Sequence, residues 1–168
     1  MRVRSFIPLA ALALTAACAT TAPTTGTPAD EQAIKAMASK YAELWNKHDA
    51  KGVAAMVAED YHTIDANGAD IQGRPAFQKA ATEQFAATPA GQTLTVSTGY
   101  VQWISATAAT AGGTWSTAGG AVGAPDKGAW SSTVVKNGSD WLIANNLVAA
   151  APPAAAPMAA DTAKAVKK

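Results

Sequence analysis

Residues 41–77 read YAELWNKHDAKGVAAMVAEDYHTIDANGADIQGRPAF. The stretch begins inside an amphipathic helix: from Asp30 to Lys47, the residues Ile34, Met37, Ala38, Tyr41, Leu44 and Trp45 recur every three or four positions and form one apolar stripe. Thr27 or Asp30 can cap its start, and Pro28 falls in the permissive first turn. His48-Asp49 breaks this helix, with His48 expected to interact with its C-terminus, and Lys51 to Val57 gives a short second one. Tyr61 to Asp65 reads as a strand, Asn67-Gly68 as a tight turn and Asp70 to Gln72 as the returning strand. Gly73-Arg74-Pro75 then opens a third helix, which carries Phe77 and Phe85 and stops before Pro89.

Beyond Pro89 the hydrophobic period changes. Gln92 to Ser105, Thr107 to Ala118, Lys127 to Lys136 and Trp141 to Ala150 are rich in Thr, Val, Trp and Ile, as strands are. Asn137-Gly138 joins the last two as a hairpin, whereas Gly119 to Asp126 is a longer loop. Gly99 interrupts the alternation of Leu94, Val96 and Tyr100, which predicts a bulge or sharp bend. Helices interleaved with a small hairpin, followed by a four-stranded antiparallel meander, define an α+β domain.

The ends are of another kind. Arg2 and Arg4 precede an apolar run from Phe6 to Ala17, as in a secretory signal, and the run is too short to span a bilayer as a permanent helix. It closes on Leu14-Thr15-Ala16-Ala17-Cys18, which resembles a bacterial lipobox with Thr15 where Leu is usual. Two readings follow: lipidation of Cys18, or ordinary cleavage after Ala17 or Ala19 with Cys18 incidental. Either exports the chain. With lipidation, Ala19 resembles the outer-membrane type, on the periplasmic side, and the membrane is a partner only through the anchor. The expected organisation is a signal peptide over 1–18, a flexible Thr/Pro linker over 19–29, a folded domain over 30–150 and an unstructured Ala/Pro/Lys tail over 151–168.

Charge and cysteine content exclude several classes. The net charge of +1 conceals a mildly acidic folded part, because both termini are basic. Nucleic acid is therefore not expected as a partner. A single cysteine rules out an intrachain disulfide framework and any cysteine-rich zinc site. No metal and no cofactor is expected, since two histidines without convergent carboxylates make a poor metal site.

The order of elements resembles the nuclear transport factor 2-like superfamily, which includes ketosteroid isomerases, SnoaL-like polyketide cyclases and many small bacterial proteins. The residues that carry the resemblance are the 41–77 stretch and the final pair STVVKNGSDWLIANN. It implies a cone-shaped roll, with a long N-terminal helix and two shorter helices packed on a curved, mainly antiparallel sheet of about six strands. By comparison with the isomerases, Ile64-Asp65-Ala66-Asn67-Gly68 resembles the turn that holds their proton-transferring Asp, and Lys40-Tyr41-Ala42-Glu43-Leu44 resembles the context of their oxyanion-binding Tyr. Their second, protonated Asp falls at or near Ser132, whose hydroxyl is a weaker oxyanion partner. The small bacterial members end in W-x-I-x-H-x-H, where this chain has Asn145 and Leu147; an amide can hold a ligand but cannot shuttle protons at neutral pH.

Each candidate has a plain alternative. Asp65 is either a general base whose pKa apolar walls raise, or a cap on its own turn. Tyr41 is either a pocket donor or a core aromatic. His62 faces away from Asp65 on an alternating strand. The tryptophans fall one per strand, at Trp103, Trp115, Trp130 and Trp141, with Trp45 on the long helix; those on the concave face would form an aromatic cup for a flat apolar ligand. The expectation is an exported, lipid-anchored protein that binds a small apolar or aromatic molecule, with Tyr41, Trp45, Asp65, Trp115, Trp130 and Asn145 lining the site. The alternatives are an acid–base enzyme using Asp65, Tyr41 and Ser132, and an interaction module that forms a homodimer through the sheet.

Overall fold

The computed structural model describes residues 24–65 and 68–152. Cys18, most of the linker, Asn67 of the hairpin turn and all of the tail beyond Pro152 therefore lie outside the described residues. Three helices, α1 (Pro28–Asn46), α2 (Ala50–Ala55) and α3 (Arg74–Ala87), combine with a two-stranded hairpin, β1 (His62–Ile64) and β2 (Asp70–Gln72). A curved antiparallel sheet follows in the order β3 (Thr93–Ser105), β4 (Ala108–Ala118), β5 (Lys127–Asn137) and β6 (Asp140–Ala150). The architecture is the expected α+β roll, with four strands and two in place of one continuous sheet of six.

Helix α1 lies against the sheet and is pinned at both ends by side chains. Thr27 and Asp30 form a reciprocal capping box at its start. The same Asp30 carboxylate accepts from Lys136 Nζ at 2.7 Å and from Trp141 Nε1 at 3.0 Å, joining the helix to β5 and β6. At the other end Asn46 imitates a strand: its Nδ2 donates to the Leu94 carbonyl at 3.0 Å, and its Oδ1 accepts from Leu94 N–H at 2.7 Å. Between these pins, Ile34, Ala38, Ala42 and Trp45 are buried on the apolar stripe. His48 ends the run in the left-handed region, at φ 54, with its N–H donated to the Trp45 carbonyl. Its ring stacks on Phe85 at 5.3 Å, joining the helix end to α3.

Two bulges set which residues face the helix. Gly99 shifts the β3 register between Thr98 and Tyr100, as its place in the sequence predicts. Leu94 and Val96 therefore face α1 before the bulge and Val101 and Trp103 after it, while Tyr100 turns outward to meet Ser131. On β6, Thr133 pairs with Asn145 but Val134 with Ile143, so Ala144 is the extra residue. The final hairpin turns through Gly138 and Ser139, since Asn137 still pairs with Asp140. The small hairpin docks on β6 through Asn145 Nδ2, which donates to the His62 carbonyl at 2.6 Å, and through Thr63 Oγ1, which donates to the Asn146 carbonyl. Val57 also forms a parallel bridge with Ile143.

Candidate functional site

The apolar stripe of α1 does not close onto the whole sheet. Toward Asn46 it leaves a pocket of about 240 Å³, open at one side. Helix α1 contributes Met37, Ala38, Tyr41 and Trp45, the spacing of one helical face. The sheet contributes Leu94 and Val96 from β3, Trp115 and Thr117 from β4, Trp130 and Ser132 from β5, and Asn146 and Val148 from β6. Gln84 reaches in from α3. Ala38 and Ala111 stand where larger residues would fill the space, both almost fully buried. The volume is slightly below the ~300–1,000 Å³ of sites that enclose drug-sized ligands, which suits a molecule of two or three rings.

The chemistry of the lining is uniform. Among the described residues, no carboxylate, histidine, lysine or arginine lines the pocket, and Tyr41 is its one titratable side chain. Burial pushes the Tyr41 hydroxyl up to about 12, with the neighbouring Tyr61 adding to the effect. At neutral pH it stays protonated and can donate a hydrogen bond. No described residue shares a hydrogen bond with it. A second polar point is Asn146, whose Oδ1 accepts from Ser132 Oγ at 2.8 Å; this leaves its amide nitrogen to donate.

The expected site residues separate into two groups. Tyr41, Trp45, Trp115, Trp130 and Ser132 come together in the pocket. Asp65 does not line it: the carboxylate caps its own hairpin, accepting from Ala69 N–H at 2.9 Å. Asn145 does not line it either. Trp141 and Ile143 face inward, and strict alternation would bring Asn145 with them, but the bulge at Ala144 reverses the phase and presents Asn146 and Val148 instead. His62 turns to Asp70, with Nε2 2.6 Å from Oδ1 on an exposed surface, and Asp70 is held below the ordinary carboxylate range by Gln72 first and His62 second. Among the described residues, no group of three or more His, Cys, Asp or Glu converges as metal ligands would.

The tryptophans also divide. Trp103 and Trp141 meet edge to face at 5.7 Å in the closed core under the start of α1. Trp45 lines the pocket but meets Phe85 edge to face at 5.9 Å. Trp115 and Trp130 make no aromatic contact among the described residues, and their indole N–H groups are bound to the backbone.

A long helix laid over a curved antiparallel sheet, with a pocket between them, defines the nuclear transport factor 2-like class. The chain belongs within it to the SnoaL-like domain family, whose pattern it matches over residues 38–135, more than half its length. No curated protein matches the chain significantly. Several solved structures share the fold. A domain of unknown function with a cystatin-like fold from Nostoc punctiforme superposes with a TM-score of 0.67 at 22% identity, covering 75% of this chain and 80% of that one. A protein named for scytalone dehydratase from Novosphingobium aromaticivorans gives 0.63 at 19% identity, covering 74% and 85%. A ketosteroid isomerase-like protein from Erwinia carotovora atroseptica gives 0.59 at 18% identity, covering 76% and 100%.

Proposed function

We propose that the protein binds a small, uncharged, largely apolar molecule between α1 and the sheet. The observation that carries this is the lining itself: apolar and aromatic walls, with Tyr41 and Asn146 as donors and no charged side chain among them. A charged ligand would leave an unpaired charge in a desolvated site, at a cost of several kcal/mol. A neutral molecule with one oxygen acceptor meets no such penalty.

A second reading, an acid–base enzyme, draws on the names of the structural relatives, a scytalone dehydratase and a ketosteroid isomerase-like protein. In that reading Tyr41 and Ser132 stabilise a developing oxyanion and Asp65 moves the proton. It requires the β1–β2 hairpin to carry Asp65 from its turn to the pocket. Binding without chemistry requires no such movement, and we favour it.

Export and lipid anchoring through Cys18 complete the proposal. They rest on the basic, apolar and small-residue order of residues 1–18. None of the described helices is long and apolar enough to cross a membrane. Mass spectrometry of the N-terminus from membrane fractions tests this part: a diacylglyceryl-modified Cys18 supports it, an unmodified terminus at Ala19 or Thr20 overturns the anchor and leaves export, and an intact Met1 overturns both. Native mass spectrometry of the protein isolated from its own cells tests the binding function. A neutral adduct is expected in the wild type and should be lost in Val148→Trp, which blocks a half-exposed position of the mouth. A wild type without an adduct, or an adduct that the substitution leaves in place, contradicts it.

A further inference from the structure

Trp115 and Trp130 each stand directly opposite a glycine. Trp115 on β4 pairs with Gly128 on β5, and Trp130 on β5 pairs with Gly113 on β4. Each indole crosses the strand that carries its glycine and is fixed one strand further on. Trp130 Nε1 donates to the Ser97 carbonyl of β3 at 3.2 Å, and Trp115 Nε1 donates to the Ala149 carbonyl of β6 at 3.2 Å. The two side chains therefore leave neighbouring strands in opposite directions and span the sheet between them.

The glycines make this possible by having no side chain. A Cβ on Gly128 would lie 2.8 Å from the Trp115 ring and 2.0 Å from the Ala149 carbonyl oxygen. A Cβ on Gly113 would lie 1.9 Å from the Ser97 carbonyl oxygen, the acceptor for Trp130. A side chain at Gly128 would collide with the Trp115 ring, and one at Gly113 with the β3 backbone that holds Trp130. With their N–H groups satisfied and no aromatic neighbour among the described residues, the two rings line the pocket as apolar aromatic surface.

We infer that Trp115 and Trp130, laid across Gly128 and Gly113, form a fixed aromatic floor that makes the pocket select planar, conjugated ring systems over saturated molecules of the same size and polarity. The inference rests on the proposed binding function and assigns its ligand class: a flat, neutral molecule of two or three fused rings with a carbonyl or similar acceptor. Ring–ring contact is favourable beyond the apolar area it buries, and a puckered saturated ring makes less face contact with the two indoles than a planar one.

Two ketones with the same carbon count, 9-fluorenone and dicyclohexyl ketone, separate shape from polarity. Calorimetric titration of the full-length chain should show fluorenone binding about tenfold more tightly. In Trp115→Leu and Trp130→Leu the preference should fall to about twofold or less, since the apolar volume remains but the flat face does not. Where a variant loses its fold, the wild type decides: on adding fluorenone the indole resonances of Trp115 and Trp130 should shift, while those of Trp103 and Trp141 stay in place. Equal affinity for the two ketones, a preference that survives both leucine substitutions, or unmoved Trp115 and Trp130 resonances in the fluorenone complex would overturn the floor and leave the binding function standing. If neither ketone binds, both the floor and the binding function are overturned.

Discussion

The two ends of α1 are built from the same kinds of residue, tryptophans facing a helix, yet one is closed and the other open. At the start of the helix, Trp141 is buried between Trp103 and Asp30, Lys136 lies 5.9 Å above its ring, and Gly26 lies close against Trp103. Asp30 ties α1 to β5 through Lys136 and to β6 through the Trp141 indole N–H. Toward Asn46, Trp115 and Trp130 tie their N–H groups to the backbone and lie down on glycines, while Ala38 and Ala111 leave room above them. One pair of indoles is thus packed against each other in the core, and the other lines the open pocket. The difference lies in what each ring packs against or faces: Trp103 and Trp141 meet each other, whereas Trp115 and Trp130 stand opposite glycines.

This contrast can be broken first at the closed end. Trp141→Ala should cost about 3–5 kcal/mol, because it opens a cavity against Trp103 and removes a donor from Asp30; chemical denaturation measures it. Asn46→Ala comes next. It removes both bonds to Leu94 and should cost about 1–2 kcal/mol, with hydrogen exchange quickening at the start of β3. At the open end the expected effect is on binding. Tyr41→Phe should leave stability within about 1 kcal/mol of the wild type but weaken a neutral ketone about five- to tenfold, read by calorimetry.

Smaller effects sharpen the comparison. Lys136 first, then Thr27 and Trp141, hold the Asp30 carboxyl well below the ordinary carboxylate range. A depressed pKa adds stability above the unfolded value of about 4, and that stability is lost as the pH falls toward the folded value. Asp30→Asn should therefore be less stable than the wild type at neutral pH, with the gap narrowing in denaturation experiments below about pH 4. Smallest of all, Asp65→Ala should loosen the β1–β2 turn and leave ketone affinity unchanged, since its carboxylate caps the hairpin and does not line the pocket.

Much of the fold was legible because its signals are local. The three-and-four spacing from Ile34 to Trp45 marks α1, and the element limits fall within a few residues of those expected. Gly99 breaks an alternation that can be seen in one strand, and its bulge followed. The site was legible where residue type and helix face suffice, as at Tyr41 and Trp45. It was not legible where register decides. Asn146 faces the pocket because of one inserted residue, Ala144, and nothing in WLIANN distinguishes that phase from its opposite. Pairing Trp115 with Gly128 and Trp130 with Gly113 depends on how β4 and β5 align across the loop from Gly119 to Asp126, whose length does not fix a register. Asp65 attracted attention by its resemblance, yet a carboxylate one residue past a strand meets the N–H groups of its own turn before anything distant.

In the proposed function, the pocket holds a neutral ligand by apolar contact and by a Tyr41 hydroxyl that stays protonated. Burial that raises this hydroxyl to about 12 disfavours its charged form, so both stability and donor function hold below the ordinary value of 10 and are lost as the pH rises toward 12. The direct test is the affinity of 9-fluorenone for the wild type and for Tyr41→Phe, measured by calorimetry from about pH 5 to 9. A flat profile is expected for both proteins, with the phenylalanine variant weaker by the same factor throughout. An affinity that follows a titration in the carboxylate or histidine range, or no binding at any pH, would contradict it.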